Sequence, residues 1–225
     1  MDEPKLVRTL LSNKPSKQSF LIALGFVLLS GVFSQMRWEG LVTNWAANKV
    51  QFFSEGMYWQ IFTATMVHGD WGHYLSNTYM LFILGLFVCA YFGTMTFPIV
   101  TFLLAGLTNA LTILNYPDQV RLVGASGLVY VLAGFWLTMF WLVQRQHLWH
   151  RRLLRIVGVA AVILLPSTFE PNTSYLAHGI GFVVGVIYAG IHFSIYKDKI
   201  RAHEIWVMPQ PEIVVEEPLD NPTYH

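Results

Sequence analysis

Two short patterns in this chain carry the residue types for nucleophilic chemistry. One is Gly124-Ala125-Ser126-Gly127, a serine set between glycines. The other is Ala177-His178 followed by Gly181 and Gly185. Each lies at the start of an apolar segment of membrane-crossing length. A hydroxyl or imidazole buried in hydrocarbon is costly unless it faces a protein interior or a wet cavity, so such residues are functional candidates by default. Serine supplies a nucleophile, and a neutral imidazole within hydrogen-bond reach takes its proton. The pair predicts hydrolysis by covalent catalysis within the bilayer.

The elements that must position these residues follow from composition. Hydrophobic residues make up 54% of the 225 positions and charged ones only 12%, and long stretches hold no charge at all. Apolar runs of about 18 residues or more read as membrane helices. Six are expected, at 19–35, 73–92, 97–114, 125–143, 153–167 and 175–196, the fifth short and the first marginal. The predicted fold is all-α, a polytopic six-transmembrane-helix bundle. A net charge of +1 gives no reason to expect nucleic acid as a partner. Cys89 is the one cysteine, so no intramolecular disulfide can form.

Orientation follows from lysine and arginine. With the N-terminus cytoplasmic, the inner segments hold Lys5, Arg8, Lys14, Lys17, Arg145, Arg151, Arg152, Arg155, Lys197, Lys199 and Arg201. The outer ones keep only Arg37, Lys49 and Arg121, so 11 of 14 basic residues lie inside, as the positive-inside rule favours. Both termini are expected in the cytoplasm. No small-x-small cleavage site follows the first span, which reads as an uncleaved anchor. The expected division is a cytoplasmic segment at 1–18, a six-span domain at 19–196 and a cytoplasmic tail at 197–225. Four prolines and five acidic residues after His203 give that tail the composition of a disordered segment. The long outer connection from Met36 to Gly72 carries Trp38, Trp45, Trp59 and Trp71 and is expected to sink partly into the outer leaflet.

Depth decides whether the candidates can meet. Ser126 precedes Arg145, and His178 precedes Lys197, by the same number of residues. Both therefore stand about 28 Å from the inner boundary on parallel helices. His73 opens another span at its outer end, and Asn77 follows one turn later on the same face. Gly181, Gly185 and Ala189 form a small-residue face on the side of His178, and such faces let membrane helices approach closely. Ser126, Tyr130 and Gly134 recur at helical spacing on the partner span.

These motifs resemble those of the rhomboid intramembrane serine proteases: Gly124-Ala125-Ser126-Gly127 with Tyr130, His73 with Asn77, and Ala177-His178 with Gly181 and Gly185, in order and on the expected side. The resemblance is clearest over 57–196. It implies a serine endopeptidase with Ser126 as nucleophile and His178 as base, His73 and Asn77 in the oxyanion hole, and Tyr130 packed on the imidazole. It also implies single-span membrane proteins as substrates, cut near the outer interface, with membrane lipids around the enzyme and no cofactor or metal. No carboxylate lies at matching depth, so a dyad is expected rather than a triad.

Two positions depart from the family pattern. Gln60 follows Trp59 where arginine is usual, which puts loop anchoring in question, and Cys89 stands where glutamate is common. His68 lies five residues before His73, a poor spacing for a metal pair on a helix; a hydrogen-bonding role in the outer loop is expected. His147 and His150 stand in a basic inner loop facing lipid headgroups. Asn221-Pro222-Thr223-Tyr224 has the form of a short sorting signal. The alternative function is a catalytically silent relative that binds or delivers client membrane proteins; a transporter would need midplane charges or duplicated halves, and neither is visible. The chain's small size suggests a bacterial plasma membrane.

Overall fold

A computed structural model describes residues 3–164 and 174–208. Its main helices are α1 (Lys17–Trp38), α4 (Trp71–Phe92), α5 (Thr101–Leu114), α6 (Ser126–Val143), α7 (Trp149–Leu164) and α8 (Tyr175–Arg201), with short helices α2 (Lys49–Phe53) and α3 (Gln60–Met66) between α1 and α4. A π-type turn at Met95–Val100 leads into α5. Two pairs of short strands complete the fold. β1 (Lys5–Arg8) pairs antiparallel with β4 (Ile205–Val207), and β2 (Ala47–Asn48) with β3 (Arg121–Leu122).

Among the described residues five helices are long and apolar enough to cross a membrane: α1, α4, the turn together with α5, α6 and α8. The expected fifth span corresponds to α7, whose described part is 16 residues and opens on the basic run Arg151, Arg152 and Arg155. The end of that expected span, 165–167, lies outside the described residues. Arg152 ties α7 back to α6, its guanidinium 4.5 Å from the centre of the Trp141 ring and donating to the Trp141 carbonyl at 2.9 Å.

Helix α6 is the central element. Two thirds of its apolar window (67%) is buried within protein, against 28–44% for the other spans. Residues Gly127 to Phe135 are buried without interruption, so this stretch is enclosed on every side. In lipid no hydrophobic driving force draws helices together, and association depends on close packing. Here α8 supplies it. A Cβ on Gly185 would overlap the Val131 carbonyl, one on Gly134 would overlap the Phe182 carbonyl, and one on Gly181 would come within 2.7 Å of the Gly127 carbonyl. The contacts advance in step along both helices, so α6 and α8 run parallel.

The tail differs from expectation. Helix α8 continues through Lys197 and Lys199 to Arg201, and Ile205–Val207 forms a strand on the N-terminal segment. Arg145, just past α6, donates to both carboxylate oxygens of Glu204 at 2.7 and 2.8 Å. Backbone pairing to β1 and this bidentate contact order residues whose composition alone favours disorder. The rest of the tail, with the Asn221–Tyr224 motif, lies outside the described residues.

Candidate active site

The turn before Ser126 is stitched down residue by residue. Leu122 pairs with Ala47 across β2 and β3. The Gly124 N–H donates to the Ala64 carbonyl at 2.9 Å. The Ala125 N–H donates to Nε2 of His68 at 3.2 Å. Gly124 has φ +117°, a conformation that side chains rarely adopt. The His73 ring also packs against its Cα, where an added Cβ would meet the ring at 2.6 Å. Any other residue here both strains the backbone and displaces His73.

Ser126 is the first residue of α6 and is half-buried. Ala125, at the cap position, makes no side-chain capping bond. The first N–H groups of a helix have no partner within it and attract negative charge, and here they surround the serine. Helix α8 begins at the same end. Ser174 caps it through a bond from the Ala177 N–H at 3.2 Å, and the Ser174 hydroxyl meets that of Tyr116 at 2.6 Å. Gly181 faces Gly127, so His178, one turn earlier, stands on the side of α8 that faces the start of α6.

His178 is buried, and its ring stacks on Tyr130, centroids 4.0 Å apart and planes at 10°. Tyr175 meets the same ring edge-on at 6.3 Å. Nδ1 of His178 is buried without a hydrogen-bond partner among the described residues. His73 and Asn77 come from the first turns of α4, capped by Asp70, whose carboxylate accepts from the His73 N–H at 2.9 Å. The buried Asn77 amide donates to the His73 carbonyl at 2.8 Å, which leaves its second N–H for another acceptor. Ser126, Tyr130, His178, His73, Gly124 and Gly127 thus converge on one end of the bundle, with Asn77 and Gly181 one turn deeper and Gly185 two turns past His178, against Val131 in the middle of α6. Among the described residues no three His, Cys, Asp or Glu side chains form a metal-binding group.

Two residues matter more than their sequence context suggests. Gln60 is fully buried, and its Nε2 donates to the Asn44 carbonyl at 3.1 Å and to Gln51 at 2.8 Å, while its Oε1 takes the Asn48 N–H at 3.4 Å. A neutral amide therefore anchors the loop between α1 and α4. Asn48 carries that anchor on to the Asp118 and Val120 carbonyls at 2.7 and 3.0 Å. His68 is the second. Its partners are 57 and 34 residues away, and no local pattern announces pairings of that range.

A model of the Rhomboid domain matches residues 55–195. No curated relative matches the chain. The match spans more than half of the sequence and contains the whole convergent cluster, on a helical membrane scaffold. This chain belongs to the rhomboid family, whose members are generally intramembrane serine proteases, and it is an integral membrane protein.

Proposed function

We propose that the protein is an active serine endopeptidase that cleaves single-span membrane proteins through a Ser126–His178 dyad. The observation that carries this reading is the parallel packing of α6 and α8, which brings His178 to within one turn of Ser126 at the same end of the helix pair, with the imidazole held flat on Tyr130. A proton on Nδ1 leaves the Nε2 lone pair to accept the Ser126 hydroxyl proton as the oxygen attacks the scissile carbonyl. The same nitrogen then returns the proton to the leaving amine, and water repeats the sequence on the acyl-enzyme. Orientation of the base comes from ring stacking and burial rather than from a carboxylate.

Negative charge on the tetrahedral intermediate has three donors in reach of the serine's end of the bundle: the Ser126 N–H at the start of α6, the second N–H of Asn77, and His73. Preorganised donors of this kind are each worth about 3 kcal/mol in a site shielded from bulk water. The basic residues Arg145, Arg151, Arg152, Lys197, Lys199 and Arg201 lie at or beyond the opposite ends of α6 and α8. The positive-inside rule then puts both termini in the cytoplasm and Ser126 toward the external face, beside the aromatic loop that holds Trp45, Tyr58 and Trp59. Water enters from that side, and the substrate is cut in its outer third.

The test compares the intact chain with Ser126→Ala in labelling by a fluorophosphonate probe and in cleavage of a single-span reporter, the cut bond being mapped by mass spectrometry. Labelling that needs Ser126 and a cut in the outer third support the reading. A folded, unlabelled and inactive wild type favours the client-binding alternative. A cut in the cytoplasmic half overturns the orientation.

A further inference from the structure

His68 has no part in the proton transfers described above, yet it is 1% exposed and both of its ring nitrogens are engaged. Nε2 accepts from the Ala125 N–H at 3.2 Å. Nδ1 lies 3.0 Å from the Ser34 hydroxyl. The Ser34 hydroxyl has one proton, which it donates to the Ser30 carbonyl at 2.8 Å. It must therefore accept from His68, so Nδ1 carries the ring proton and Nε2 is bare. The chain continues as Ser30 donates to the Met66 carbonyl at 3.2 Å, and Trp38 Nε1 holds the His68 carbonyl at 3.0 Å. One imidazole thus ties α1 to the peptide immediately before Ser126, in a single tautomer with a defined direction.

We infer that His68 is a positioning residue, which acts as the cap that α6 otherwise lacks and fixes the Ala125–Ser126 peptide so that the serine hydroxyl and N–H keep their aim. The inference rests on reading Ser126 as the nucleophile. Its physical basis is that a buried main-chain N–H without an acceptor is costly and the backbone moves to find one. Here that movement takes Ser126 with it, and displacements of about 1 Å at a reacting atom are enough to cost two orders of magnitude in rate. The groups facing His68 are His73 and Tyr74 from α4, with ring centroids at 5.2 and 5.4 Å, Asp70 from the turn, and Ser34 and Trp38 from α1. Burial, reinforced by His73 and only partly opposed by Asp70, lowers the His68 pKa to about 3, so the ring stays neutral and the acceptor persists at neutral pH.

The experiment measures kcat, KM, fluorophosphonate labelling rate and thermal midpoint for the wild type, His68→Ala, His68→Gln, Ser34→Ala and Ser126→Ala. His68→Ala should lower kcat and labelling rate at least tenfold with KM within twofold. His68→Gln, which keeps an acceptor for Ala125 and a donor for Ser34, should recover to within about threefold of wild type. Ser34→Ala should lower kcat severalfold through His68 alone, at unchanged KM. If His68→Ala does not fold, His68→Gln and Ser34→Ala decide the question. A kcat within twofold of wild type in His68→Ala, or in Ser34→Ala, overturns the inference, as does a His68→Gln as inactive as a folded His68→Ala. Labelling lost in Ser126→Ala but within twofold of the wild-type rate in His68→Ala leaves the nucleophile standing and sinks His68 alone. Labelling unchanged in Ser126→Ala sinks the dyad itself.

Discussion

The phenol ring of Tyr130 and the imidazole of His178 stack face to face at 4.0 Å, nearly parallel. Both are buried, Tyr130 one turn into α6 and His178 at the start of α8. In the proposed dyad the ring face of Tyr130 takes the orienting part that a hydrogen-bonded carboxylate plays in a triad. Tyr130→Ala should therefore lower kcat at least tenfold with little change in KM, and Tyr130→Phe, which keeps the ring face, should retain more activity than Tyr130→Ala. Steady-state cleavage of a single-span reporter checks both. Ser126→Ala and His178→Ala should fall by about 10⁴ or more while remaining folded, because members of such a unit fail together.

Asn77 stands apart from that unit. Its amide is already committed once, to the His73 carbonyl, so in the proposed mechanism it has one N–H left for a developing oxyanion. Loss of one donor among several costs about 10²–10³ in kcat. Asn77→Ala should show a loss of that size or smaller, clearly short of Ser126→Ala. An Asn77→Ala enzyme as inactive as Ser126→Ala would give Asn77 a different role.

The α6–α8 interface has no room for a methyl group at Gly185, where a Cβ overlaps the Val131 carbonyl, a main-chain atom that cannot swing aside. Overpacking of this kind costs about 1–3 kcal/mol and shifts the backbone. Gly185→Ala should lower the thermal midpoint and reduce labelling of Ser126 as well. Gly190→Ala, on the same helix with nothing within 4 Å of the added Cβ, should change neither. Unfolding curves and labelling rates measured in parallel test the pair.

His68 makes acid sensitivity predictable in sign. Its pKa is lowered from 6.5 to about 3 in the fold, mainly by burial. In the unfolded chain it takes up a proton below 6.5, so between these values the unfolded state binds more protons. The stabilisation is complete above pH 6.5 and is lost as the pH falls toward 3. The thermal midpoint should drop between about pH 7 and pH 4, and His68→Gln should drop less over the same range. Equal slopes would contradict the assignment.

Strand pairing changes what truncation should do. Cutting after His203 removes Glu204 and β4 and releases both Arg145 and the N-terminal strand, so the thermal midpoint should fall. Cutting after Met208 leaves those contacts in place, so the midpoint should fall less than after the cut at His203. Both cuts lie at the end of the bundle opposite Ser126, and activity at low temperature should persist in each.

Much of this was legible in the chain itself. Apolar run length marked the spans that α1, α4, α5, α6 and α8 now occupy. Equal spacing to Arg145 and Lys197 predicted similar depths for Ser126 and His178, since helix rise converts residue number into depth, and both stand in the first turns of parallel α6 and α8. The small-residue face at Gly181 and Gly185 marked the side of α8 that carries the packing. These properties are periodic and local, and they survive without knowledge of neighbours. Tertiary structure alone decided the rest. Gln60 holds the loop between α1 and α4 with a neutral amide, Ile205–Val207 finds its strand partner at Lys5–Arg8 near the opposite end of the chain, and His68 reaches from one loop to Ser34 and Ala125. Each depends on a hydrogen-bonding partner far away in sequence, and a single polar residue does not reveal which distant donor or acceptor the fold will bring to it.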